Sequence, residues 1–291
     1  MSRFAHFAAI DWSGAVGPFQ RGIAVAMCGT GRAAPVLVAP PDRHWSREGV
    51  LAWLTTALPP DTLIGLDLGP ALPFADRGAY FPGWEESPAD ARALWALVEA
   101  VCADEPHLGA TSFVDHPQAS RYFRRHGGRT GAAFGHGRGR LRVTEEAQQA
   151  QGLNPYSNFN LVGAAQVGKS SLTGMRLLHR LGDQLPVWPF DPIGANGSAI
   201  VEIYTSLAAI AAGRPRGRTK MRDRATLDAA LAAPVIDSAG IGGDGSIDDH
   251  SSDALLTVAW LRRHADCAPL WAPDALSCTI ARTEGWTFGV S

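Results

Sequence analysis

The chain has 291 residues, enough for one large α/β domain or two small ones. Its 46% apolar and 19% charged content fits a globular core, and no apolar run approaches the roughly 20 residues that span a bilayer. A net charge of −2 argues neither for nor against a nucleic-acid partner, so the distribution of charge matters more than its sum.

"FAHFAAIDW" at the start reads as a buried strand over about residues 4 to 11, not as a secretory signal. "QRGIAVAMCG" and "APVLVAP" read as the next two strands, and "SREGVLAWLTTAL" as an amphipathic helix capped by Ser46. "TLIGLDLG" is then a short apolar strand, residues 62 to 67, so the opening order is β-β-β-α-β. "SPADARALWALVEAVCAD" predicts a helix with Ser87 as cap and Pro88 at its first position. The span from about 105 to 160 is polar, Gly- and Arg-rich, with a short helix expected at "TEEAQQAQG" behind a Thr144 cap and a strand at "NFNLVG". A helix at "SSLTGMRLLHRLG", strands at "LPVWPFD" and "SAIVEIYTS", and helices at "RDRATLDAALAA" and "DDHSSDALLTVAWLRRHA" follow. "EGWTFGV" closes as a short strand or extended tail. No internal repeat or linker divides the chain, so a single domain over 1–291 is expected, with about 105–185 as an insertion. The four cysteines form no C-x-x-C pair and read as reduced, which points to a cytoplasmic location.

Four acids lie in apolar surroundings: Asp11 after "AAI", Asp67 after "LIGL", Glu202 inside "AIVEIY" and Asp253 inside "DDHSSDALLTVAWL". A buried carboxylate is costly unless paired or bound to metal. Three of them on strands of an α/β pattern point to one site at the strands' carboxyl ends. Carboxylates gathered there repel one another unless a cation neutralises them, and hard oxygen donors suit Mg²⁺ or Mn²⁺. Two such ions about 4 Å apart activate water and stabilise the leaving oxygen of a phosphodiester. Asp248 or Asp249 reads as the cap of the last long helix, whereas Asp253 lies beyond its first turn. His250 shares a face with Asp253 and reads as a ligand or a general base.

Basic residues are concentrated in two stretches. Arg121, Arg124, Arg125, Arg129, Arg138, Arg140 and Arg142 lie in a run free of acids between His116 and Thr144. Arg214, Arg216, Arg218, Lys220, Arg222 and Arg224 form the second stretch. Such concentrations suit contacts to a phosphate backbone, and a solvated mobile loop is the alternative reading. Arg124, Arg125, Arg138, Arg140, Lys220 and Ser13, beside Asp11, are expected to bind substrate.

The set "IDWSGA", "GLDLG", "VEIY", "DALLTVAWL" and "EGWTFGV" resembles a family described as predicted RNase H-like nucleases, over nearly the whole chain from about 8 to 290. "HSSDALLTVAWL" is similar to the helix motif of RuvC-type Holliday-junction resolvases. The resemblance implies an RNase H-like fold with a mixed five-stranded sheet flanked by helices. It also implies metal ligands at Asp11, Asp67 and Asp253, with Glu202 as a fourth, and a DNA or RNA substrate. Those resolvases carry Glu on the fourth strand where this chain has Asp67.

Two other readings compete. Gly163, Gly168, Lys169 and Ser170 fit the P-loop spacing, which would make the protein a nucleotide hydrolase. Nearly 160 residues of a different pattern precede that motif, so a loop-to-helix turn is favoured, with Lys169 facing a substrate phosphate. An actin-like or sugar-kinase-like ATPase would use "DWSGA" and "LDLGP" as phosphate loops, but that class needs two copies of the fold. A non-catalytic nucleic-acid-binding protein of the same fold is the last alternative.

Overall fold

A computed structural model describes residues 3–163, 167–216 and 219–291. Strands β1 (His6–Asp11), β2 (Ala24–Gly29), β3 (Val36–Leu37), β4 (Thr62–Asp67), β5 (Val187–Trp188) and β6 (Ala199–Glu202) form one mixed sheet in the order β3-β2-β1-β4-β6-β5. The sheet therefore has six strands rather than the five expected, because the two-residue β3 and β5 pair at its edges. The β1–β2 and β2–β3 ladders are antiparallel, and β1–β4, β4–β6 and β5–β6 are parallel. β1 and β4 sit inside the sheet and are apolar on both faces, as parallel strands covered by helices must be.

Helices cover both faces. Ala8, Ile10, Ile64, Leu66 and Ile200 face α1 (Arg47–Thr56), α2 (Ala91–Val101) and α5 (Val167–Leu181). Phe7, Ala9, Leu63 and Val201 face α6 (Thr205–Ala211), α7 (Arg224–Leu231) and α8 (Asp249–His264). Between α2 and α5 run α3 (Thr111–Asp115) and α4 (Val143–Ala150), and the chain ends through α9 (Ala268–Trp271) and α10 (Cys278–Thr283). α5 lies inside the span 105–185 and packs beside α1 and α2 on the sheet. No helix of the described residues is long and apolar enough to cross a membrane.

Three local readings change, and one is decided between its alternatives. Ser87 does not cap α2: its Oγ accepts from the Phe81 N–H at 3.1 Å, and Asp90 caps by accepting from Ala93 N–H. Arg142, not Thr144, stands at the cap of α4, because Glu145 Oε2 accepts the Arg142 N–H at 2.8 Å and Thr144 Oγ1 turns to the Thr287 N–H. "NFNLVG" makes only a lone bridge, Arg124 to Asn160, since its apolar side chains plug an aromatic cluster of Phe81, Phe113, Tyr122, Phe123 and Phe159. That cluster is continuous with the core under α1, α2 and α5, so the Gly- and Arg-rich span packs into the main core. The closing "EGWTFGV" is an extended tail with a single bridge from Thr287 to Glu202, anchored by buried Trp286 and Phe288.

Candidate active site

Strand register brings the first two acids together. Asp11 ends β1 and Asp67 ends β4, and the two are direct partners in the parallel ladder. Side chains alternate faces with period two, so Asp11 follows Phe7 and Ala9, and Asp67 follows Leu63, onto the face covered by α8. α8 begins at Asp249 behind an Asp248 cap, whose Oδ1 accepts from the Ser251 N–H at 2.9 Å. Asp253 is therefore one turn inside the helix, 5% exposed, on a face pressed against β1 and β2.

The charges of the three carboxylates act on one another. Burial raises the Asp67 pKa well above the usual range, and the carboxylates of Asp11 and Asp253 raise it further, with the hydroxyl of Thr205 opposing at 3.2 Å. Burial also pushes Asp253 up to about 6, against the pull of Lys220. Lys220 donates a hydrogen bond to Asp253 Oδ2. Burial lowers the Lys220 pKa, but Asp253, with Asp11 and Asp67 behind it, holds the ammonium above its ordinary value. His250 Nδ1 lies 2.9 Å from Asp11 Oδ2, and that hydrogen bond raises the imidazole pKa. A Cβ placed on Gly22 would meet Ser13 Oγ at 3.2 Å and His250 Nε2 at 3.3 Å, so Ser13 and the outer edge of the imidazole flank the same glycine.

Among the described residues, no three His, Cys, Asp or Glu side chains stand close enough to hold a metal ion. As the side chains lie, Lys220 and His250 meet the charge of the cluster. The donor set, three carboxylates, has the hard oxygen chemistry of a Mg²⁺ or Mn²⁺ site, but its present arrangement is that of an internally paired cluster.

Glu202 does not join the three. It pairs with Leu66 in the ladder and follows Ile200, so its side chain leaves the sheet on the opposite face. There Arg142 holds it with two hydrogen bonds, 2.6 and 2.9 Å, and Thr287 Oγ1 donates a third at 2.8 Å. Arg142 also donates to Glu145 at 3.0 Å and to the Glu284 carbonyl at 3.0 Å. This buried network ties α4, β6 and the C-terminal tail together, and it explains an acid inside an apolar strand without any ligand. A cavity of about 190 Å³ at the carboxyl ends of the strands is lined by Asp67 on one side and by Arg142 and Glu202 on the other.

The basic residues divide by burial. Arg140, 7% exposed at its side chain, donates to Asp76 at 2.6 and 2.9 Å and to the carbonyls of Pro73, Ala79 and Tyr80. It is a structural clamp, not the free substrate contact expected. Arg125 is committed to Asp115 at 2.6 Å, and Arg138 bonds Asn154 and covers the Tyr156 ring. Arg124 presents an exposed side chain. Arg218 lies outside the described residues.

Lys169 Nζ lies 3.1 Å from His126 Nε2 and lines a cavity that none of the three carboxylates lines. Gly168 sits inside α5, where its N–H donates to the Asn160 carbonyl at 3.1 Å and a Cβ would lie 2.3 Å from the Asn158 carbonyl oxygen. A P-loop needs that N–H free for phosphate and a strand before the loop, and neither is present here. Residues 164–166 of the motif lie outside the described residues.

Sequence reasoning missed Thr205, which braces Asp67, and the structural role of Arg142. "EIYTS" is a signal for the first, since a hydroxyl three residues past a strand acid reaches the same strand ends. Nothing in the acid-free run distinguishes Arg142 from its neighbours. Comparisons with family models, with curated proteins and with solved structures give no match for this chain.

Proposed function

We propose that the protein is a divalent-metal-dependent phosphodiesterase of RNase H-like fold, acting on DNA or RNA. The observation that carries this reading is the in-register pair Asp11 and Asp67, facing Asp253 across the α8 interface. The strand order and the antiparallel start agree with that fold, with an extra edge strand.

In this reading a bound Mg²⁺ or Mn²⁺ supplies the charge that neutralises the carboxylates and activates water. Asp11, Asp67 and Asp253 are the residues that would hold it, through carboxylate oxygens. Lys220, half exposed at its side chain, pairs with Asp253 and would have to leave that carboxylate for a cation to bind there. His250 keeps Nδ1 on Asp11 and offers Nε2 beside Ser13; the Asp11 hydrogen bond favours the imidazolium, which suits proton donation to a leaving oxygen. A non-catalytic binding protein is the competing reading, favoured by the Lys220–Asp253 pair that already balances the cluster.

One assay decides. Labelled single- and double-stranded DNA and RNA are incubated with wild type and Asp11→Asn in Mg²⁺, Mn²⁺ or EDTA. The expected outcome is metal-dependent cleavage by wild type, at least about 100-fold slower in D11N, with unchanged circular dichroism. Absence of cleavage on all four polymers in both metals removes the reading.

A further inference from the structure

A second cavity, of about 410 Å³, opens on the other side of α5 between the β1–β2 loop and residues 105–129. Its volume is in the range of small-molecule sites. Its lining includes the apolar Val114, Leu161 and Leu172 and the basic Arg125, His126, Arg129 and Lys169. Arg47, 2% exposed, forms part of the lining with its guanidinium on the carbonyls of Ser13 at 3.0 Å, His107 at 2.5 Å and Ala15.

The lining holds four Lys and Arg side chains, Arg47, Arg125, Arg129 and Lys169, against two acids, and both acids are already engaged. Asp115 holds Arg125, and Glu105 accepts the N–H groups of Thr111 and Ser112. Lys169 donates to His126 Nε2 at 3.1 Å rather than to a carboxylate. Burial lowers the pKa of Lys169 and pulls Arg47 down to about 10, and an anion in the cavity would oppose both shifts. Lys169 is the third residue of the 15-residue α5, so the positive end of that helix adds to the field.

We infer that this cavity binds a small organic phosphate: a phosphate monoester, held by Lys169 and Arg129 over the buried Arg47, on an apolar or aromatic body of mononucleotide size. The inference does not rest on the nuclease reading. The same chemistry is present in a free mononucleotide and in the 5′-phosphate of a nucleic-acid strand.

The test is isothermal titration in EDTA with AMP, UMP, adenosine, uridine and inorganic phosphate, on wild type, Lys169→Gln, Arg129→Gln and D11N. AMP or UMP binds wild type and D11N alike, the nucleosides bind at least about tenfold more weakly, and K169Q and R129Q each lose about tenfold without a change in unliganded melting temperature. Arg129 is exposed, so R129Q keeps the test valid if K169Q disturbs α5. A short 5′-phosphorylated oligonucleotide that competes with AMP assigns the ligand to strand ends, and one that does not compete assigns it to free small molecules. Nucleosides binding as well as nucleotides, full affinity in both substituted proteins, or no binding of any probe at millimolar concentration overturns the inference.

Discussion

Lys220 and Arg142 show how differently two cations serve acids in this chain. Lys220 is a half-exposed ammonium at the edge of three carboxylates, and its removal leaves them repelling one another. Lys220→Ala is expected to lower the melting temperature in EDTA by about two to four degrees, or about 1 kcal/mol, and to enlarge the stabilisation gained from Mn²⁺. Differential scanning calorimetry with and without metal reads both effects. Arg142 is buried between Glu145 and Glu202, and burial pushes Glu145 up to about 7 despite the guanidinium beside it. The folded chain therefore binds a proton at Glu145 more tightly than the unfolded chain does. Stability contributed by that proton is full below the ordinary value and is lost as pH rises through about 7. Urea unfolding should therefore show lower stability at pH 8 than at pH 5 from this group, and Glu145→Gln should reduce the difference. An unchanged difference would assign it to other groups, of which Asp253 has the same sign.

At the scale of elements, the start of α5 illustrates how packing overrides a local pattern. "GKSS" in isolation suits a phosphate loop, and Gly168 looks like the residue that lets phosphate approach. In the fold it lets α5 approach the backbone of residues 158–160 instead. Helix propensity alone favours Gly168→Ala by about 1 kcal/mol. The contact at 2.3 Å is with a main-chain oxygen that cannot swing aside, and overpacking of this kind costs about 1–3 kcal/mol. The net expectation is destabilisation, visible as a lower urea midpoint; a gain in stability would mean that α5 moves freely against this segment. β6 and β4 carry the complementary lesson. A strand's period of two turns Glu202 to Arg142 and Asp67 to α8 although the strands are adjacent.

For the molecule as a whole, the arginines of 121–142 do two jobs. Arg140 binds the loop of residues 73–80, so Arg140→Ala should cost about 3 kcal/mol by removing a buried charge network. Arg121 and Arg124 point outward, and replacing both with Ala should leave stability within about 0.5 kcal/mol. If the protein binds duplex DNA through them, the salt dependence of that binding should flatten by roughly 0.9 log units per lost contact. Fluorescence anisotropy across a salt series measures the slope, and an unchanged slope excludes these two from the contact surface.

Much of the architecture is legible in the sequence because it depends on local patterns. Apolar runs ending in Asp mark β1 and β4, Ser46 announces its helix as a cap, and the pair Asp248 and Asp249 announces α8, of which the structure selects Asp248. Residues 62–67 match β4 to the residue, since an apolar run between Pro-Asp and Gly-Pro has nowhere else to begin or end. The meeting of Asp11, Asp67 and Asp253 is foreshadowed by their place at strand and helix ends. Tertiary structure alone decided which face each acid uses, because face depends on register between strands distant in sequence. It also decided which arginines are buried, since a guanidinium reads the same in a loop and in a core. The pairing of Lys220 with Asp253, 33 residues apart, needed the chain to close on itself. So did the second cavity, whose walls come from the β1–β2 loop, residues 105–129 and α5.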